Sequence, residues 1–338
     1  MDNLLAVDVG GGTQDILLYE RGKPLENCIQ LVLPAPTVLV GKKIQKATSQ
    51  GKAVFLFGRT MGGGSSTKAI KEHLAAGFPV YATTESAMTI HDNLEKVQEL
   101  GVILTADKPE KAEAVRLADL DLLMLAQILA KVGYTLPAQI AVAVQDHGYS
   151  PHQSNRVFRF RLWEQFMSGG GKLSELAYRT VPSVFTRMQA IKQDAPDALL
   201  MDTCGAALLG ALSDYVVGEA AKKGIIVVLN LGNQHSFAAL VHQERVLGLF
   251  EHHTALMTAE KVRVYLERLC KATLTNQEVQ DDGGHGCIPP EKPVRAELVV
   301  VTGPRRALLS ASNYYFAAPQ GNMMLMGCFG LIAAAQHV

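Results

Sequence analysis

Apolar positions fall into short runs of strand length, separated by longer stretches in which they recur every three or four residues. The first run, Leu4 to Val9, meets Gly10-Gly11-Gly12 and is followed by a second, Asp15 to Tyr19. A third covers Cys28 to Leu33 after the turn Arg21-Gly22-Lys23-Pro24. Three runs this closely spaced predict an antiparallel meander. Downstream, the pattern predicts a strand at Ala53 to Phe57, a helix from Ser66 to Ala76, a long helix around Pro109 to Lys131 and a strand at Gln139 to Val144. A second meander is predicted from Ile225 to Asn230, Ser236 to Val241 and Val246 to Phe250. It is followed by a helix at Ala259 to Lys271, a strand at Glu297 to Thr302 and a final helix near Asn322 to Ala335. Gly283 to Pro290 reads as an exposed loop.

Strands alternating with amphipathic segments predict an α/β chain. Because the meander recurs, two domains of like topology are expected to face each other across a cleft. The polar, basic stretch after Gly148-Tyr149-Ser150-Pro151 and the loop Ser168-Gly169-Gly170-Gly171 put the boundary near residue 150. That gives domains of 1–150 and 151–321, with 322–338 packing back on the first.

Composition narrows the function. The 338 residues are 48% hydrophobic, enough for a sizeable core. Lysine plus arginine equal aspartate plus glutamate at 32 each, so no global field draws the chain to nucleic acid or an anionic membrane. No apolar run reaches the roughly 18 residues that cross a bilayer, and the start lacks a basic-then-apolar leader pattern. A cytoplasmic location is therefore expected, with a homodimer left open. Five scattered cysteines without CxxC or CxxxCxxC spacing read as reduced thiols, against a cysteine-ligated iron–sulfur cluster or a structural zinc.

Candidate chemistry begins at Val7-Asp8-Val9-Gly10-Gly11-Gly12-Thr13-Gln14-Asp15. A Rossmann fingerprint needs a helix after its glycines, but Gln14 to Tyr19 reads as a second strand. A glycine hairpin instead presents successive N–H groups to one point, a nest for phosphate oxygens, and Asp8 at the strand end can hold Mg²⁺. The alternative is a tight turn whose glycines only supply positive φ.

Asp202 is either a carboxylate that takes an acceptor proton or an ordinary helix N-cap. Gln145 and His147, at a strand end, either meet substrate or are capped locally. His147, His152, His235, His252 and His253 match no strong metal-ligand spacing. Gly62-Gly63-Gly64-Ser65-Ser66-Thr67-Lys68 opens a helix and lacks the Walker spacing; it is either a second anion pocket or a plain helix entry.

Taken together, the chain resembles the actin-like ATPase superfamily of sugar kinases, actin and heat-shock chaperones. Asp8 to Asp15 is similar to its first phosphate motif, which implies roles for Gly10, Gly11, Gly12, Thr13 and Gln14. Asn230-Leu231-Gly232-Asn233-Gln234-His235-Ser236 stands where the second phosphate loop is expected, with Asn230 in place of the common acid. Val299-Val300-Val301-Thr302-Gly303-Pro304-Arg305-Arg306 occupies the place of the adenosine motif, with Pro304 in place of a glycine.

Two further stretches look like the sugar-kinase branch. Ala143-Val144-Gln145-Asp146-His147-Gly148 is similar to the segment that touches substrate. Asp202-Thr203-Cys204-Gly205-Ala206-Ala207-Leu208-Leu209-Gly210 resembles the helix start that carries the catalytic base. More narrowly, the chain looks like a family sometimes labelled as related to pyruvate formate-lyase activating enzyme, although the radical-SAM cysteine triplet of that label is missing.

The resemblance implies a two-domain actin-like (ribonuclease H-like) fold, ATP and Mg²⁺ as cofactors, and a phosphotransferase or ATPase acting on a small molecule or protein. Two other readings stay open: a nucleotide sensor or scaffold with negligible turnover, and an ATP-coupled carbamoyl-transfer or lactam-hydrolysing enzyme.

Overall fold

The structure, a computed structural model, describes residues 2–150 and 154–337. The chain opens with β1 (Leu4–Val9), β2 (Thr13–Tyr19) and β3 (Ile29–Pro34). Next come α1 (Pro36–Ser49), β4 (Val54–Gly58), α2 (Ser65–Ala75), β5 (Val80–Ala82), α3 (Thr84–Ala87), α4 (Leu94–Glu99), β6 (Val102–Leu104) and β7 (Glu113–Leu117). Then follow α5 (Leu122–Ala130), β8 (Gln139–Val144), α6 (Asn155–Ser168), β9 (Ala177–Tyr178), α7 (Thr186–Asp194), β10 (Leu199–Asp202), α8 (Thr203–Leu212) and α9 (Tyr215–Lys223). The remainder comprises β11 (Ile226–Leu231), β12 (His235–His242), β13 (Arg245–His253), α10 (Ala259–Cys270), α11 (Asn276–Asp281), β14 (Gly286–Ile288), β15 (Leu298–Thr302), β16 (Tyr315–Phe316) and α12 (Met326–His337).

Both meanders form, and each continues into a mixed sheet of the same plan. The first has the order β3-β2-β1-β8-β10-β9 and the second β14-β13-β12-β11-β15-β16. In both, the meander is antiparallel and the next strand lies parallel to the first strand of the meander, β8 against β1 and β15 against β11. A parallel neighbour requires a crossover connection, and in the first half that crossover has grown into a separate layer. Residues 36–117 build a third, wholly parallel sheet of order β6-β5-β4-β7 with its own core around Ile44, Leu56, Ile70 and Leu117.

Successive strand residues point to opposite faces, which here separates two environments. Leu4 and Ala6 face inward and share one core with Ile226, Val228 and Phe237 of the second sheet, whereas Leu5, Val7 and Val9 face outward against α5 and α7. Between the inner faces lie α8 and α12, both apolar around most of their circumference. They cross closely at two glycines: a Cβ on Gly330 would stand 2.9 Å from the Gly210 nitrogen and overlap the Ala206 carbonyl. The final helix thus packs back on the first sheet, against β1 and β8.

Three expectations change. The long helix at 109–131 is instead β7 followed by α5, because Glu113 to Leu117 pairs with β4 and Asp121 starts a new helix by accepting from the Met124 N–H at 3.0 Å. Gly283 to Pro290 is not an exposed loop: Cys287 pairs with Phe250 at the sheet edge and His285 is buried. The strands also do not part at residue 150, since β9 and β10 complete the first sheet before the chain passes to the second.

Candidate functional site

The β1–β2 and β11–β12 turns are built alike. In each, the first glycine donates its N–H to the carbonyl three residues on, Gly10 to Thr13 and Gly232 to His235, both at 2.9 Å. Asp8 and Asn230 occupy matching positions on β1 and β11, two residues before those glycines. The turns meet tip to tip. A Cβ on Gly11 would stand 2.6 Å from Gln234 Oε1, and one on Gly12 would stand 2.6 Å from Asn233 Nδ2. None of Gly10, Gly11 and Gly12 has positive φ. These glycines therefore serve close approach, not backbone hand. The N–H groups of Gly11, Gly12, Asn233 and Gln234 donate to no partner among the described residues.

A third glycine segment reaches the same place. Gly64, at the entry to α2 with φ of 62°, sits against Gln234, where its Cβ would be 2.7 Å from Nε2. The three segments surround a cleft of about 390 Å³. On its floor stand two acids, half-buried Asp8 and buried Asp15, directly opposite each other across β1 and β2. Both lie on the inner face, toward the first turns of α8 and α12. Thr203 donates to Asp8 Oδ1 at 2.8 Å, and Gly327 leaves room for the carboxylate, since its Cβ would stand 2.9 Å from that of Asp8. Burial pushes Asp8 up to about 6, and burial plus the Asp8 charge push Asp15 up to about 8. Asp15 Oδ1 has no hydrogen-bond partner.

The expected site residues divide. Asp8, Gly10, Gly11, Thr13, Gln145, Asp146, His147, Gly232, Asn233, Gln234, Gly303 and Pro304 line the cleft, whereas Gly12, Gln14, Asp202 and Arg305 do not. Gln14 turns away and donates to the Pro34 carbonyl at 3.0 Å. Gly303 packs under Asn230 with φ of 93°, and Arg305 lies exposed beside it, its N–H on the Leu231 carbonyl. Asp146 accepts the N–H groups of Gly148, Arg187 and Met188, each at 2.9 Å, and so ties the end of β8 to the start of α7. Burial pushes Asp146 up to about 6 against those bonds.

Asp202 caps α8 through the Cys204 N–H at 2.9 Å and is held by both Arg159 Nη atoms, at 2.8 and 3.1 Å. Both carboxylate oxygens are thus engaged, and the side chain does not line the cleft.

Several residues at the site carry no sequence signature. Arg187 joins the Gln145 carbonyl, at 2.7 Å, to Asp119, which in turn accepts the Gly62 N–H, and so fixes the third segment to β8. Arg159, buried on α6, spans from Asp202 to Glu251 on β13, where Nε donates to Oε2 at 2.6 Å. Glu251 also accepts from Gln145 Nε2. Burial alone would raise Glu251, but Arg159 outweighs it and the carboxyl stays below its usual range. Beside it gather His147, His235, His253 and His285. Burial lowers all four, His235 to about 4 and His285 to about 2, so they stand as neutral imidazoles. His252 instead pairs with Asp282 at 3.0 Å, and His152 lies outside the described residues.

Two sheets of one plan, clasping two central helices and opening on paired glycine hairpins, define an actin-like ATPase fold. Within that class, the chain belongs to the family described as "Putative pyruvate format-lyase activating enzyme (DUF1786)", whose pattern matches residues 61–308. The activity in that description implies a cysteine-bound iron–sulfur cluster, and the residues do not fit one. The five cysteines are separate free thiols, four of them buried, and no cysteine joins a metal-binding group among the described residues.

Among solved structures, the chain is similar to a Bacteroides thetaiotaomicron protein with actin-like ATPase fold and unknown function (7% identity, 97% of this chain and 95% of that one, TM-score 0.37). It is also similar to the ethanolamine utilization protein EutJ from Carboxydothermus hydrogenoformans (10% identity, 98% and 89%, TM-score 0.33). A third is the Aquifex aeolicus PPX-GPPA enzyme (10% identity, 100% and 92%, TM-score 0.26). No curated protein matches the chain. No helix among the described residues is long and apolar enough to cross a membrane.

Proposed function

We propose that the cleft binds a magnesium nucleotide and that the chain is an ATP-dependent phosphotransferase or ATPase. The reading rests above all on the two hairpins: Gly11, Asn233 and Gln234, from matching turns of duplicated sheets, line one cleft and carry N–H groups without partners among the described residues. Such a set suits the oxygens of a polyphosphate. Asp8 would hold Mg²⁺, with Asp15 beside it. The buried, unpartnered Asp15 oxygen beside Asp8 is what a cation site at the strand ends needs. When bound, Mg²⁺ neutralises charge on the phosphates.

The chain's own part is chiefly positioning, which dominates phosphoryl transfer. The hairpin N–H groups fix the phosphates, and Thr203 orients Asp8. Gly303 and Pro304 flank the side expected to take the base. Gln145 and His147 face the acceptor. Asp202 serves as a positioning residue that holds Arg159, not as the group taking the acceptor proton. Calorimetric titration with Mg-ATP followed by a phosphate-release assay tests the reading. Saturable binding that Asp8→Asn makes independent of Mg²⁺ supports it, and absence of binding rejects it. Binding without release would leave a nucleotide-gated scaffold.

A further inference from the structure

From the cleft wall, which His147 and His235 line, to the edge of the second sheet runs a set of side chains that the phosphate-binding hairpins do not use. His235 on β12 and Glu251 on β13 point to the same face, because His235 pairs with His253 and Phe237 with Glu251 across the two strands. His285 is brought alongside by its N–H bond to the Glu251 carbonyl, 2.9 Å, just before β14. His147 arrives from the other half of the molecule, three residues past β8. One nitrogen or oxygen from each of His147, His235, Glu251 and His285 lies within 4.8 Å of all the others.

We infer that these four side chains form a binding site for a divalent transition-metal ion of the zinc type, three imidazoles and one carboxylate, bridging the two halves of the molecule. His147 Nε2 and His285 Nε2 stand 3.2 Å apart. Two ligands each about 2.0–2.1 Å from a tetrahedral ion are separated by about 3.3–3.4 Å, so this pair is already spaced as one edge of the polyhedron. The donor set selects the metal class, since imidazole nitrogens suit zinc, iron, cobalt or copper and not Mg²⁺ or Ca²⁺.

A second observation is independent of that spacing. His285 is 1% exposed and its Nδ1 has no partner, so among the described residues no group other than His147 hydrogen-bonds the ring and either of its nitrogens is open to an ion. Outer support is present as well. Glu251 is braced by Arg159 at one oxygen and Gln145 at the other, and each oxygen keeps a lone pair free for an ion.

The site shares His147 with the proposed acceptor side of the cleft but does not depend on nucleotide binding, and its test uses no nucleotide. Full-length protein stripped with a chelator is titrated with Co²⁺ in a large excess of Mg²⁺, followed by Zn²⁺. The expected result is one Co²⁺ per chain with the visible bands of four- or five-coordinate cobalt, displaced stoichiometrically by Zn²⁺. His147→Asn, His285→Asn and Glu251→Gln should each abolish the bands or weaken Zn²⁺ binding by at least about tenfold. Asp8→Asn should leave them intact. Failure of the wild-type chain to bind stoichiometrically overturns the site, and this needs no variant to fold. So does loss of the bands in Asp8→Asn, which would put the ion between the strand-end acids.

Discussion

Gly11 and Gln234, 223 positions apart in the sequence, touch across the cleft so closely that a methyl group on the glycine would press into the glutamine side chain. The contact joins the first hairpin to the second, at the point where the proposed function puts a phosphate chain. Replacing Gly11 by valine should leave the fold intact, since Gln234 is an exposed, flexible side chain that can move aside. It should weaken Mg-ATP by about ten- to a hundredfold, the loss of one or two charge-assisted N–H contacts. Comparison of binding isotherms and melting curves for the two proteins checks both halves of that expectation.

The floor acids predict an inverted pH dependence. The Asp15 carboxyl rises from an ordinary 3.8 to about 8 in the folded chain. Between those values the folded state retains a proton that the unfolded state has shed, so the Asp15 contribution makes stability fall as pH rises across that window and leaves it level on either side. In metal-free buffer, Asp15→Asn should melt higher than wild type at pH 8 and alike below pH 4. Mg²⁺ should raise the wild-type midpoint at pH 8 and do little for the variant. A variant that melts lower across the whole range would contradict this role.

At the centre, the crossing of α8 and α12 leaves no room for side chains at Gly210 and Gly330. Gly330→Leu must push the helices apart or force poor rotamers, at a cost of about 1–3 kcal/mol or more. A fall in the denaturant midpoint measures it. Because α12 also carries Gly327 past Asp8, the same substitution should reduce Mg²⁺ stabilisation.

Arg159 neutralises two buried acids on different sheets, Asp202 and Glu251. Arg159→Met leaves both charges without their partner and should cost about 3–5 kcal/mol. Asp202→Asn keeps the α8 cap acceptor and should be much milder than Asp202→Ala. If Asp202 instead took the acceptor proton, Asp202→Asn would abolish turnover while sparing stability, a pattern that steady-state assays distinguish.

Much of the fold is legible in the sequence because strand signals here are local. Leu4 to Val9 and Ile226 to Leu231 are apolar runs ended by glycine turns, and both form as expected. The stretch at 109–131 misleads because Glu113 to Leu117 satisfies either period, and only pairing with β4 makes it a strand. The separate parallel sheet of residues 36–117 escapes notice for a related reason: β5 and β6 are three residues each, too short to show a period.

The hairpin part of the candidate site is legible in Gly10 to Thr13 and Gly232 to Gln234, where glycine spacing encodes the turn. The histidine group is not, since His147, His235 and His285 are far apart in sequence. Strand register alone puts His235 and Glu251 on one face. A faint signal exists in Gly284-His285-Gly286, where both glycines sit against neighbouring side chains that a Cβ would strike. Asp202 reads equally as base or cap in the sequence, and the buried Arg159 that holds its carboxylate leaves no sequence signal.

The most direct test of the account is calorimetric titration of the full-length protein with ATP, with and without Mg²⁺, alongside Gly11→Val and Asp8→Asn. The account predicts one Mg-dependent nucleotide site per chain, weakened by the first substitution and stripped of its Mg²⁺ dependence by the second. Equal binding by all three proteins, or no heat from any of them, would contradict it.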